Sequence, residues 1–510
     1  MRPILRRRMG IMKPISAYLT AFLKHTPGLL LILALAACRG NRSLSQTITP
    51  GSMTPAGQST ALATVRPTRT PTAPATQTPT PTPAPVSTLD VQADELDGLT
   101  ITFWHPWRGE QEALVQDMLA EFNRTNPWGI TVQASAYDGL GWLEEAVEAG
   151  VNGGALPDLL IGYNYQAQHW DVTGRVLVDL NEYASDPTWG LRAEEQADFY
   201  PAFWSQDISS SATGVGKRLG LPLHRSALVL YYNRSFSLSL GFSGLPDSTY
   251  ELRQRACAAA ESNASDGQSG NDGSGGWLIT PQPSLLVGWV YAFGGEIART
   301  DGRGYQFNTA EVGQALDYLK SLQDSGCAYQ APGANPAAEF ATRRALFYIS
   351  SLSELPAVEA AFTAAGNRDS WTVLPLPGAE AEPVLVTYGP DLMITRSETA
   401  RELAAWLAAE WLVDPANQAQ WAAANNLLPV RQSALELLGR PLAEDPQWAA
   451  AVALLPLARS EPAYASWSVM RWALNDAMAA LFDPAFSSGQ IPNLLEALDQ
   501  TALEIFTQVR

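Results

Sequence analysis

A chain of 510 residues with 46% hydrophobic content is long enough for two or more domains with sizeable cores and is not a disordered tail. Residues 1–37 hold six of the 33 Lys and Arg and no acid, so the rest of the chain stands at 27 minus 51, or −24. A surface of that sign repels nucleic acid and anionic lipid, which removes nucleic-acid binding from the functions to consider. Such acidity mainly confers solubility, the alternative being an acidic face for a cationic ligand or partner.

At the N-terminus, Arg6, Arg7, Arg8, Lys13 and Lys24 precede an apolar run from Leu29 to Ala37 that stops at Cys38. The run is too short to span a bilayer as a mature helix. It reads as the core of a signal peptide over residues 1–37, and Leu35, Ala36, Ala37 and Cys38 resemble a bacterial lipobox, which implies lipidation of Cys38. The long stretch ahead of the core leaves Met9 and Met12 as alternative starts. From Thr64 to Pro85, 15 of 22 residues are Thr or Pro, so there is no apolar face to bury. Polyproline II at about 3.1 Å per residue makes this a stalk on the order of 70 Å, open to O-glycosylation, within a linker over residues 38–95.

The folded region is expected to start near Leu96. GLTITFW supplies an alternating strand, a helix follows from Gln111 to Asn123, then a strand in ITVQASAY, a helix from Trp142 to Ala149 and the apolar run DLLIGY. Apolar strands between helices predict a parallel sheet covered on both faces. A second series opens at Leu228–Asn233, with a helix through Ala260 and a strand at WLIT, separated by the Ser- and Gly-rich surface loop Ser262–Gly276. The last 110 or so residues read as mainly helical, at Thr399–Leu412, Trp467–Leu481 and Leu494–Val509. Cys257 and Cys327, the only other cysteines, are a disulfide candidate in an exported chain; the alternative is two buried thiols.

Catalytic signatures are sparse. The four His residues, at 25, 105, 169 and 224, show no HExxH spacing, and no metal site or cofactor is expected. GVGKR at Gly214–Arg218 lacks the rest of a phosphate loop and reads as a hairpin turn, and GFSGL at Gly241–Leu245 misses the GxSxG elbow by one position. Paired carboxylates for glycoside hydrolysis depend on three-dimensional separation and stay open. Sixteen Trp, many beside polar residues at predicted strand ends, offer ring faces suited to sugars, although a Trp serves a core equally well.

Seven segments, in order, resemble the extracellular solute-binding proteins of the maltose-binding type: TITFWHPW, LPDLLIGY, GRVLVDLNEY, GLPLHRSALVLYYNRS, GWVYAFGGEI, FATRRALFYIS and NNLLPVRQSA. The resemblance implies an α/β, two-lobe, periplasmic-binding-protein-like (type II) fold with an interlobe hinge and ligand cleft. It places lobe 1 at residues 96–224 and 390–440 and lobe 2 at 225–389 and 441–510, with crossings near Leu223–Ser226 and Thr387–Asp391. It implies closure on a sugar-like ligand and recognition of the closed form by ABC-transporter permease subunits, by a monomer tethered outside the cytoplasm, with no enzyme activity and no cofactor. Ligand contacts fall on Trp104, His105, Trp107, Arg108, Tyr163, Asn164, Arg225, Ser226, Ser350, Ser351, Tyr388, Trp467 and Arg471. Trp467 is expected as the ring-stacking platform, Arg225 as a polar grip or an interlobe ion pair, and His105 as a local hydrogen-bonding group. Ser350, Ser351 and Leu352 stand where maltose binders commonly place a stacking Trp, and Ser284, Leu285 and Leu286 where rings are frequent. A smaller or differently shaped sugar fits better than a linear maltodextrin. A polyol, a glycerol-phosphate ester, a short peptide or a tethered glycoside hydrolase are the alternatives, and a sensor or adhesion lipoprotein without a permease is a further class.

Overall fold

The computed structural model describes residues 86–209, 216–379 and 381–509. The leader, Cys38, the Thr- and Pro-rich segment and part of the Gly214–Arg218 turn lie outside the described residues. Within them the strands are β1 (Thr100–His105), β2 (Thr131–Ala136), β3 (Leu159–Tyr163), β4 (Leu221–Pro222), β5 (Ser226–Asn233) and β6 (Gly275–Leu278). They continue with β7 (Ala328–Tyr329), β8 (Ala345–Ser351), β9 (Trp371–Leu374), β10 (Leu385–Tyr388), β11 (Pro390–Ile394) and β12 (Ala458–Ser460).

Two sheets form. One has the order β2-β1-β3-β11-β4; the other has seven strands in the order β12-β10-β5-β8-β6-β7, with β9 also on β5. The expected parallel arrangement holds only locally. β1 runs parallel to β2 and β3, but β11 is antiparallel to β3 and β4, and β5 is antiparallel to β8, β9 and β10. The antiparallel strands are those that carry the chain between the sheets, where a strand enters from the opposite lobe rather than through a covering helix.

The pleat explains the layering. Along β5 every residue is buried, and Ala227, Val229 and Tyr231 pack into one apolar cluster while Leu228, Leu230 and Tyr232 pack into another, so both faces of this sheet are covered. In the first lobe, the helix Glu110–Thr125 buries Val115, Met118, Leu119 and Phe122, the spacing of one helical face, over the alternating Ile101 and Phe103 of β1. Cys257 in the helix Thr249–Ser265 and Cys327 just before β7 form a disulfide with Cα atoms 4.3 Å apart.

The folded body begins earlier than Leu96. Asp186 accepts from the Ser87 hydroxyl (2.9 Å), the Thr88 amide (2.7 Å) and the Thr88 hydroxyl (3.0 Å), while Val91 and Leu96 are buried. A short segment without helical or strand periodicity gave no sign of this, because its anchor lies about a hundred residues away.

The chain passes between the sheets where Leu223–Arg225 joins β4 to β5 and where Gly389 joins β10 to β11. These two links touch. A Cβ on Gly389 would stand 2.2 Å from the His224 carbonyl oxygen and 2.9 Å from the Arg225 Cα, so only glycine allows the approach.

Candidate functional site

The strand register brings several of the expected residues to the junction. Tyr163 ends β3 opposite Pro390, Ser226 opens β5 opposite Tyr388, and Ser351 ends β8 opposite Leu228. Strand ends at a change of sheet are where α/β folds leave a crevice. Tyr163, Tyr165, Tyr388, Ser351 and Arg471 are each half-buried there. The rings of Tyr163 and Tyr165 stack at 5.5 Å with planes 5° apart, and both Tyr165 and Tyr388 rest against the apolar core of the second lobe. The Ser226 and Ser351 hydroxyls lie 3.1 Å apart.

The lobes meet at this junction. The helix Asn164–Gly174 packs on the helix Trp467–Leu481, the Gln168 amide donates to the Ala463 carbonyl, and the Ser460 hydroxyl donates to the Ala202 carbonyl at 3.0 Å.

At the centre of the second lobe's wall is Glu461, which sequence reasoning missed. Its carboxylate accepts from the Ser284 hydroxyl (2.5 Å), from the Trp467 indole N–H (2.9 Å) and from the Arg471 guanidinium. Glu461 is buried, whereas the Arg471 side chain keeps 29% of its surface. Burial raises the Tyr163 phenol above its usual range; the Arg471 charge opposes this and Glu461 adds to it, so the ion pair acts directly on the opposite wall. Burial likewise raises Tyr388, against the pull of the Ser351 hydroxyl. Both phenols are therefore neutral donors at physiological pH.

Four expected ligand residues, Arg225, Trp467, Trp107 and His105, are placed otherwise. Arg225 is fully enclosed and every guanidinium donor is used: Nε to Gln206 (3.2 Å), Nη1 to the His224 and Pro390 carbonyls (both 3.0 Å), and Nη2 to Asp391 (2.8 Å) and Asp207 (3.4 Å). It is a clamp across the two crossings, with no donor left for a ligand. Burial, reinforced by Asp391, pushes Asp207 well above the ordinary carboxylate range, and Asp391, at 2.8 Å against 3.4 Å, is the nearer partner of the arginine.

Trp467, expected as the stacking platform, has no exposed surface. Its ring lies 5.7 Å from Tyr305 inside the second lobe's core. Trp107 and His105 also turn inward. Trp107 meets Trp421 edge-on at 4.7 Å, and His105 stacks on Trp107 at 5.3 Å with Nδ1 buried and unpartnered among the described residues. Loss of hydration on burial lowers His105 to about 4, so it stays neutral near pH 7.

The other expected contacts are spread out. Trp104 is half-buried against Tyr137 (5.2 Å), and Arg108 is exposed near Glu112 (3.6 Å) and Asp138 (4.0 Å). Asn164 is buried and donates to the Gln206 carbonyl at 3.3 Å, and Ser350 donates to Glu354 at 2.5 Å. Among the described residues, no group of three His, Cys, Asp or Glu side chains converges to hold a metal, and no helix is long and apolar enough to cross a membrane.

Behind the hinge, the Trp421 indole N–H donates to His224 Nδ1 at 3.0 Å, which needs an unprotonated ring nitrogen. Burial, helped by the Arg225 charge, lowers His224 to about 3. The folded pKa thus lies below the unfolded value of 6.5, so the stabilisation is complete above pH 6.5 and is lost as pH falls from there towards 3. Going from pH 7 to pH 5 should cost the wild type about 2 kcal/mol more than His224→Gln, which keeps an acceptor for Trp421 without titrating. Denaturant melts of both proteins at the two pH values give this difference directly, and equal pH dependence would refute it.

This arrangement, two α/β lobes joined by two crossings with strand ends gathered at the junction, is that of a solute-binding protein. Residues 117–456 match the bacterial extracellular solute-binding protein model, and the chain belongs to that family. No curated protein matches the chain. Among solved structures, the sugar-binding protein MalE from Xanthomonas citri is similar over 80% of this chain and 98% of its own, with 21% identity and a TM-score of 0.68. The cyclic alpha-maltosyl-1,6-maltose binding protein from Arthrobacter globiformis shares 19% identity over 80% of this chain and 99% of its own, with a TM-score of 0.67. UgpB from Mycobacterium tuberculosis, solved with glycerophosphocholine, gives 19% identity over 80% and 98%, with a TM-score of 0.63. The two-lobe fold class expected from the sequence is the one observed, and the family places the protein outside the cytoplasm.

Proposed function

We propose that this protein captures an uncharged carbohydrate in the interlobe crevice and delivers it to the permease of an ABC importer. The observation that carries the reading is the combination of three tyrosine rings, Tyr163, Tyr165 and Tyr388, with hydroxyl groups and with arginines already committed to carboxylates. Ring faces suit the apolar side of a sugar, and neutral phenol, serine and amide groups suit its hydroxyls. The sugar-binding neighbours of the same fold support this class. A phosphate ester of the kind found in UgpB would need a free cation, which neither Arg225 nor Arg471 supplies while paired. Glu461 is held by Arg471, Ser284 and Trp467 rather than poised as one of an acid and base pair, which favours binding over hydrolysis.

In this reading the lobes are residues 86–224 with 390–440, the start moved back from 96 by the Ser87 and Thr88 contacts to Asp186, and 225–389 with 441–510, hinged at the two crossings. Ligand shifts the population towards the closed form. Cys38 carries a lipid and the Thr- and Pro-rich segment holds a monomeric receptor off the membrane. Tyr163→Ala and Tyr388→Ala should each weaken binding of the cognate sugar by about tenfold or more, the loss of a desolvated aromatic contact, with little change in melting temperature. Calorimetric titration of both variants checks it, and unchanged affinity in both would place the ligand elsewhere.

A further inference from the structure

Glu461 is an unusual feature for a neutral site: a buried carboxylate beside a partly exposed arginine, both on the wall of the crevice. The Ser284 and Trp467 donors fix the carboxylate, Ser284 from the helix Pro283–Ala292 and Trp467 from the first turn of its own helix. Arg471, one turn further along that helix, is drawn onto Glu461 and also reaches the Ser284 hydroxyl at 3.4 Å. Among the described residues of the crevice, Arg471 is thus the cation that retains an exposed face, and its charge is cancelled by Glu461.

We infer that Glu461 is the specificity-determining residue of this site: by masking Arg471 it makes the crevice electrically neutral and excludes anionic solutes such as phosphorylated sugars. The inference rests on the carbohydrate reading above. The mechanism is a difference of affinities. An anion entering the wild-type crevice meets Arg471 already neutralised and also meets the Glu461 charge, so its desolvation is not repaid. A neutral sugar pays no such penalty and accepts hydrogen bonds from the guanidinium edge that faces the crevice. Without the carboxylate, the same arginine becomes a phosphate grip.

The test uses the full chain and two variants, titrated calorimetrically with D-glucose, maltose, glucose 6-phosphate, glycerol 3-phosphate and D-glucosamine. Glu461→Gln keeps an acceptor for Trp467 and removes the charge; its affinity for the phosphate esters relative to the neutral sugars should rise about tenfold, the scale of one charge-assisted hydrogen bond. Arg471→Gln leaves the carboxylate uncompensated; it should gain nothing for the phosphates and should shift preference from glucose towards glucosamine. Should Glu461→Gln fail to melt cooperatively, the Arg471→Gln pair of sugars decides alone. Variants that keep the wild-type charge preference, or a wild type that already binds the phosphate esters, would overturn the inference. A wild type that binds none of the neutral probes, with phosphate binding gained in Glu461→Gln, would instead retain the masking and discard the carbohydrate reading.

Discussion

Arg225→Met should destabilise the protein by about 3–5 kcal/mol, the cost of leaving a buried carboxylate without its counterion. The side chain is wholly enclosed, and its five N–H groups satisfy Gln206, Asp207, Asp391 and the carbonyls of His224 and Pro390. Methionine fills much of the same volume but strands Asp391, whose carboxyl burial already pushes upward and Arg225 pulls back. Two further substitutions sharpen the result. Arg225→Lys should recover only part of the loss, because three ammonium donors cannot replace a planar fork of five. Combining Arg225→Met with Asp391→Leu should recover most of it, since an apolar pair of similar volume removes the stranded charge. Denaturant melts of the purified variants give these values. A loss confined to ligand affinity, with stability unchanged, would mean that Arg225 grips the solute after all.

Trp467→Ala is expected to cost a further large amount, about 3–5 kcal/mol, as the removal of a fully buried indole and the opening of a cavity beside Tyr305 require. Trp467→Phe separates two contributions. It keeps most of the packing but removes the indole donor to Glu461, so its loss should be about 1.5–3 kcal/mol, typical of a hydrogen bond to a charged group. A residue serving as an open stacking platform behaves differently: its truncation lowers affinity and leaves the melt alone. Thermal and denaturant melts of both variants, read beside their sugar affinities, distinguish the two roles.

Much of the architecture was legible because it follows from periodicity. The helices Thr399–Leu412 and Trp467–Leu481 fall where the apolar spacing puts them. The places where the chain changes sheet, at Leu223–Arg225 and Gly389, came from the family resemblance and not from periodicity. Strand direction was not legible. Apolar runs such as Leu228–Asn233 show that both faces are covered, but not that the partner strands β8, β9 and β10 run the other way. The site was half legible for a related reason. Tyr163, Ser226, Ser351, Tyr388 and Arg471 reach the crevice because strand ends and one helix face take them there. Trp467, Trp107 and Arg225 do not, because a ring or a guanidinium reads the same in a sequence whether it faces solvent or a core. Glu461 went unnoticed because its meaning depends on Ser284, 177 positions away, and on an arginine a turn along the next helix. Tyr165 and Gln168 carry a weak signal: they lie one and four residues past Asn164, on a helix that opens at the strand end.

The measurement that bears most directly on the whole account is a thermal-shift and calorimetric screen of the protein against neutral sugars, polyols, phosphate esters, amino acids and short peptides. A ligand at 100 times its dissociation constant stabilises the folded state by about 2.7 kcal/mol. The account predicts a saturable shift with a neutral mono- or oligosaccharide, lost in Tyr388→Ala and absent with phosphate esters. Saturable binding of a charged solute, with silence across all the sugars, would contradict it.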